Sequence, residues 1–168
     1  MTPLVPVIQQ AALAALQRAD ATGIALKLTH VAIGSAAYAP SQGQTTLQAE
    51  LGRYPIAAGQ SLSDTLLHMD VLADGPVEGW VREVGVICND NLLLAVWSHP
   101  DQVIGYKPAN QTLAIAFDLD LSVLPPNSVT IHTTGPQLGL CMAEYLSVQA
   151  ALSFYLARLQ LAPYLKPL

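Results

Sequence analysis

DTLLHMDVLADGPVEGWVREVGVICNDNLLLAVWS, residues 64–98, decides the fold. Its three apolar runs are separated by Asp74-Gly75-Pro76 and by Asn89-Asp90-Asn91. Connections this short leave no room for a parallel crossover, so the runs predict antiparallel strands in a meander. At its centre, GWVREVG (residues 79–85) places adjacent Arg82 and Glu83 in an otherwise apolar stretch. Alternation puts Trp80, Arg82 and Val84 on one face and Val81, Glu83 and Gly85 on the other, so the two charges point apart. Each then needs its own partner, because an unpaired buried charge is strongly destabilising. Asp70, Asp118 and Asp120 are the candidates for Arg82, and Lys27, Arg53 and Lys107 those for Glu83. The pair is read as a structural device for register and assembly, with Trp80 packed beside it.

Working outward, ALKLTHVAIG (residues 25–34) alternates, with Leu26, Leu28, His30 and Ala32 on one face and Lys27, Thr29, Val31 and Ile33 on the other. TLAIAFDLDLSV (residues 112–123) sets Leu113, Ile115, Phe117, Leu119 and Leu121 against Ala114, Ala116, Asp118 and Asp120, the pattern of a half-buried strand. RYPIAAG (residues 53–59) and SVTIHTT (residues 128–134) read as extended, Leu47 to Leu51 as a short helix, and HPDQVIGYKPANQ (residues 99–111) as a loop. The sheet region totals about seven strands.

Helices are expected at both ends. Leu4, Ile8, Ala11, Ala12, Leu16 and Ala19 recur at helical spacing, with Thr2 as cap and Pro3 in the first turn. In residues 137–162, Leu138, Met142, Tyr145, Gln149, Leu152, Leu156 and Leu159 follow the 4,3 spacing of a coiled-coil seam with one polar member. Cys141, Val148 and Tyr155 widen its apolar face, while Glu144 and Arg158 interrupt the run before it reaches membrane-spanning length. The expectation is an α+β chain: residues 1–134 as a mainly antiparallel sheet domain, and residues 135–168 as an apolar helix for oligomerisation or connection to a fibre.

Of the 168 residues, 52% are hydrophobic and 11% charged, where soluble domains carry about 25% charged residues. Such a surface predicts large protein interfaces. The formal charge is −5 and the seven Lys and Arg are scattered, which excludes the basic stripe that nucleic-acid binding needs. Cys88 and Cys141 lie far apart and read as buried free thiols. MTPLVPVIQQ lacks the basic start and apolar core of a secretory signal, so the chain is expected to stay in the cytoplasm where it is made.

Catalytic patterns are sparse. His68-x-Asp70 with a distant His132 matches the order of a two-histidine, one-carboxylate iron triad. It supplies the alternative reading, a non-haem iron oxygenase on a β scaffold; the bland reading is polar residues on a sheet face. No G-x-S-x-G elbow and no phosphate-binding glycine loop occurs. Trp80, Trp97 and Tyr106 resemble a sugar platform but more commonly serve as packing.

Three blocks taken in order are more specific. LTHVAIG (residues 28–34), GWVREVGV (residues 79–86) and YKP (residues 106–108) resemble the hallmark segments of the phage tail-collar fibre family, over about residues 1–133. The motif positions are Thr29, His30, Gly34, Gly79, Trp80, Gly85, Tyr106, Lys107 and Pro108. The resemblance implies the amino-terminal domain of tail fibres in contractile-tailed phages and R-type pyocins. It implies a structural virion protein, trimeric, fastened to a baseplate protein, with no catalytic residues and no cofactor. The family's usual chain continues into a long shaft, whereas this one ends at Leu168, which leaves open a complete fibre, a short adaptor holding other fibre subunits, or a truncated fibre.

Overall fold

The computed structural model of the chain describes residues 4–22, 26–122, 124 and 129–134. In order the elements are β1 (Val7–Ile8), α1 (Gln10–Thr22), β2 (Leu26–Gly34), β3 (Glu50–Ser61), β4 (Leu66–Ala73), β5 (Gly79–Val81), β6 (Glu83–Cys88), β7 (Leu93–Ser98), β8 (Gly105–Lys107), β9 (Leu113–Asp120) and β10 (Val129–Ile131). The fold is thus mainly antiparallel sheet with one α-helix near the N-terminus among the described residues. The expected helix over residues 137–162 lies outside them, as does Cys141.

The main sheet runs β1-β7-β6-β2-β3-β4-β9, with β10 parallel to the first residues of β2. The β6–β7 hairpin turns at Asn89–Asn91, where Asp90 and Asn91 both take φ of 60°, a left-handed conformation that these residue types tolerate. The predicted meander fails at its first step, because the neighbours of β4 are β3 and β9, not β6. The chain between them builds a separate two-stranded ribbon, β5–β8, before entering the main sheet. Residues 105–107, read as loop, supply the second strand of that ribbon.

Near opposite ends of the sheet, Trp97 on β7 and Phe117 on β9 meet edge to face at 5.1 Å. The sheet is therefore coiled over its concave side. That side holds Leu28, Val31, Ile33, Ile56, Met69, Val71, Val86, Leu94 and Leu119, together with Ala12 and Leu16 of α1.

Two predicted face assignments are corrected. On β2, Leu28 pairs Cys88 while His30 pairs Ile87, so two residues oppose one. This bulge moves the inward set from Leu26 and Leu28 to Val31 and Ile33. The second correction falls at Arg82, where the strand breaks between β5 and β6, so that Val81 and Val84 enter the same core.

The N-terminus departs too. Residues 4–9 are not helical; Val7 and Ile8 pair with Val96 and Ala95. Pro6 offers no donor and disfavours helix for the residue before it. The helix starts where the buried Gln9 carbonyl accepts from Leu13 N–H at 3.1 Å. Leu47 to Leu51 is not a helix either: Glu50 begins β3, and Leu47 is buried on the convex side with Ala32, Ile87, Leu93 and Val96.

Candidate functional site

The three motif blocks converge. The last residues of β2 pair with β6, setting Gly34 opposite Glu83, while Gly79 and Trp80 of β5 pair with Lys107 and Tyr106 of β8. One group is a buried carboxylate under a loop; the other is an exposed aromatic ribbon built on a buried lysine.

Glu83 is fully buried. Its Oε2 accepts from Tyr38 O–H at 2.8 Å and from Gln48 N–H at 3.0 Å, and its Oε1 from Ala49 N–H at 2.7 Å and Ala36 N–H at 3.4 Å. None of the expected cations is its partner. Lys27 and Arg53 are on β2 and β3, and the Arg53 guanidinium is bound to Glu50 at 2.9 Å and to Asn91. Residues 35–49, which form neither helix nor strand, need their amides satisfied once they cover β6 and β7, and Glu83 supplies the acceptors.

The bonding extends inward. Gln44 Nε2 donates to Tyr38 Oη at 2.9 Å, and Gln44 N–H donates to the buried Gln9 Oε1 at 2.9 Å. Burial is the main reason the Tyr38 phenol is pushed up to about 12, with Glu83 adding to it and the Gln44 bond opposing. Two glycines make this loop fit. A Cβ on Gly34 would lie 2.6 Å from Ala49 O and Glu83 Cγ, and one on Gly85 would lie 3.0 Å from Leu47 Cδ2.

Arg82 behaves differently. Its backbone N–H donates to Gly34 O at 2.9 Å, but its buried Nε has no hydrogen-bond partner among the described residues. The expected Asp70 and Asp118 bond His68 instead, and Asp120 accepts from Ser122 N–H.

Lys107, a motif position and an expected partner of Glu83, is fully buried. Its Nζ donates to Gly75, Val77, Pro108 and Gln111 carbonyls at 3.0, 3.2, 2.8 and 2.7 Å. It ties together the two turns that flank the ribbon. Above it, Trp80 and Tyr106 meet edge to face at 5.0 Å, and Tyr106 O–H donates to Glu78. Trp80 is 55% exposed and its ring meets Tyr106, whereas Trp97 is buried against Phe117, so the three aromatics form no single platform.

The metal reading is not assembled. His68 Nδ1 lies 2.6 Å from Asp118 Oδ1 and its Nε2 3.3 Å from Asp70 Oδ1. The amide of His132 is held by Leu28 O, next to β2 rather than β4. Among the described residues no group of three or more His, Cys, Asp or Glu is placed to hold a metal ion. The Asp118 bond is the main cause of a raised His68 pKa; burial opposes it and Asp70 adds to it. Cys88 is buried and free, and burial pushes its thiol up to about 12, as expected of a packing thiol. Thr29 Oγ1 donates to Ile87 O at 3.3 Å beside the bulge, while His30 is half-buried.

Among the described residues no helix is long and apolar enough to cross a membrane. The model of the phage tail-collar fibre protein, N-terminal, matches residues 1–123. No curated protein and no solved structure matches the chain. With its three motif blocks joined in one folded unit and the family matched over most of its length, the chain belongs to the phage tail-collar fibre family and is a structural component of the virion tail.

Proposed function

We propose that this domain fastens a fibre to the baseplate of a contractile phage tail, as part of a fibre or as a short fibre adaptor, and so supports attachment to the host. Family membership over residues 1–123 carries the reading. The surface is consistent with it: Trp80, Val103, Ile104 and Tyr106 are exposed near one another in sequence or across the ribbon, where a baseplate protein could cover them.

Residues 135–168 serve, in this proposal, to join copies of the chain or other fibre subunits. A homotrimer through the seam from Leu138 to Leu159 would remove apolar surface from water at about 25 cal/mol per Å², and Gln149 would set register. The protein then resides at the baseplate end of the tail fibre after assembly in the host cytoplasm. It works without cofactor, catalysis or contact with nucleic acid.

Mass spectrometry of purified particles tests the reading, with native mass spectrometry of the full chain. The expected results are the chain in the particle, fibreless tails when its gene is inactivated, and a trimer in solution. Particles that lack the chain yet carry fibres would refute the attachment role; a stable monomer would refute the trimer.

A further inference from the structure

β9 ends the main sheet. It pairs with β4 along its full length and with no other strand, so alternate N–H and C=O groups on its far side have no ladder partner among the described residues. Beside that edge lies a cleft of about 270 Å³ lined by Leu4, Val84, Trp97, Ile104 and the consecutive residues Ile115–Asp118. Consecutive residues on a strand face opposite ways, so lining by four in a row means that the cleft exposes the backbone edge itself, not one face.

The neighbourhood is apolar. Ile104 also has its N–H held by Val81 O at 2.9 Å, which joins the cleft to the β5–β8 ribbon. Of seven exposed large hydrophobics among the described residues, Trp80, Val103, Ile104 and Tyr106 belong to that region, at 55%, 49%, 38% and 38% exposure. Outward along β9 the ladder carries only Ala114 and Ala116 before the acidic Asp118 and Asp120, and no Lys or Arg of the described residues lines the cleft. Small side chains let a neighbouring backbone approach, and the carboxylates favour a cation on it.

We propose that the free edge of β9 receives an extended strand of another chain, apolar where it faces the cleft and carrying Lys or Arg opposite Asp118. This is β-strand addition: main-chain bonds supply affinity, and the cleft and carboxylate supply selectivity. A second copy fits poorly, because no described strand of this chain offers a basic side chain on a free edge. Lys27 and Arg53 lie on the interior strands β2 and β3, and Lys107 is buried. The proposal rests on the reading that this domain docks on another protein of the tail, and it names the surface and the chemistry of that partner.

Hydrogen–deuterium exchange of the full chain, with an alternating valine–lysine heptapeptide as probe, tests it. The peptide should slow exchange of β9 amides. A valine–glutamate peptide, or the valine–lysine peptide N-methylated at alternate residues, should not. Asp118→Asn, which keeps an acceptor for His68, should raise the half-saturating peptide concentration about fivefold. Unchanged β9 exchange, or equal protection by the control peptides, overturns the proposal. So does protection without peptide: if it grows with protein concentration a second copy is the occupant, and if it is independent of concentration another segment of the same chain is. Presence of the chain in purified particles tests the attachment reading separately, so an inert β9 in a chain found there removes the docking strand alone.

Discussion

Gly34 and Glu83 face each other across β2 and β6, and the Glu83 side chain occupies the space that any larger residue at 34 would fill. The buried carboxylate and the glycine are one device. Ala49 O, also 2.6 Å from the position of a Cβ at Gly34, is backbone and cannot step aside without moving the loop that Glu83 holds.

Gly34→Ala should therefore destabilise the domain by about 3 kcal/mol, at the upper end of over-packing costs. A urea midpoint within error of the wild type would show that β2 and β6 separate more freely than this geometry allows.

Glu83→Ala should cost about 3–5 kcal/mol, because it leaves the amides of Gln48 and Ala49 and the Tyr38 hydroxyl without their acceptor in a buried setting. The loss should be local before it is global, with residues 35–49 the first cleaved in limited proteolysis. Cleavage beginning elsewhere, with this segment intact, would remove the anchoring role.

Arg82→Met should behave in the opposite way, although the adjacent charges read alike in sequence. Among the described residues the Arg82 Nε makes no hydrogen bond to forfeit, and the residue sits at the break between two strands. Stability should change by no more than about 1 kcal/mol. Misfolding of this variant would mean that the guanidinium has a structural partner outside the described residues.

These contrasts mark what could be read in advance. The period-two pattern of β9 was legible because no irregularity interrupts it, and its observed burial alternates residue by residue from Leu113 to Asp118. β2 and the 79–88 segment misled because one extra residue flips every later side chain, and neither the bulge near Thr29 nor the break at Arg82 carries a glycine or proline of its own. The partners of Glu83 were beyond reach for another reason. They are backbone amides of a loop with no periodicity, whereas a charge in sequence invites a search among opposite charges. The motif positions were recognisable as a set, yet only the folded chain reveals why Gly34, Gly85 and Lys107 belong to it.

His68 provides a pH test. The Asp118 carboxylate at 2.6 Å raises the imidazole pKa above its ordinary 6.5 in the folded chain, so the protonated form is the one that folding favours. Its stabilising contribution is complete below about pH 6.5 and disappears as pH rises through the folded value. The stability difference between wild type and His68→Gln should be greatest near pH 5.5 and vanish at high pH. A difference that grows with pH, or a His68 titration by NMR at or below the ordinary value, would contradict the arrangement.

Lys107→Met tests the other half of the motif. The side chain has nearly the same length, so packing is largely kept while the donors are lost. The Nζ group serves four carbonyls from the two turns around Gly75–Val77 and Pro108–Gln111, and among the described residues only Gly75 O has a second donor, Asn110 N–H at 3.0 Å. Val77, Pro108 and Gln111 would lose the donor their part-buried carbonyls now have, at a cost of about 3 kcal/mol in all. Lys107→Arg should not rescue, because a planar fork cannot converge on carbonyls arranged around a single nitrogen. The damage should centre on the β5–β8 ribbon, with faster amide exchange at Gly79–Val81 and Gly105–Lys107 while β2 and β6 keep their protection. If the ribbon strands stay protected in Lys107→Met, the ammonium does not hold the turns together, and the exposed pair of Trp80 and Tyr106 is supported by strand pairing alone.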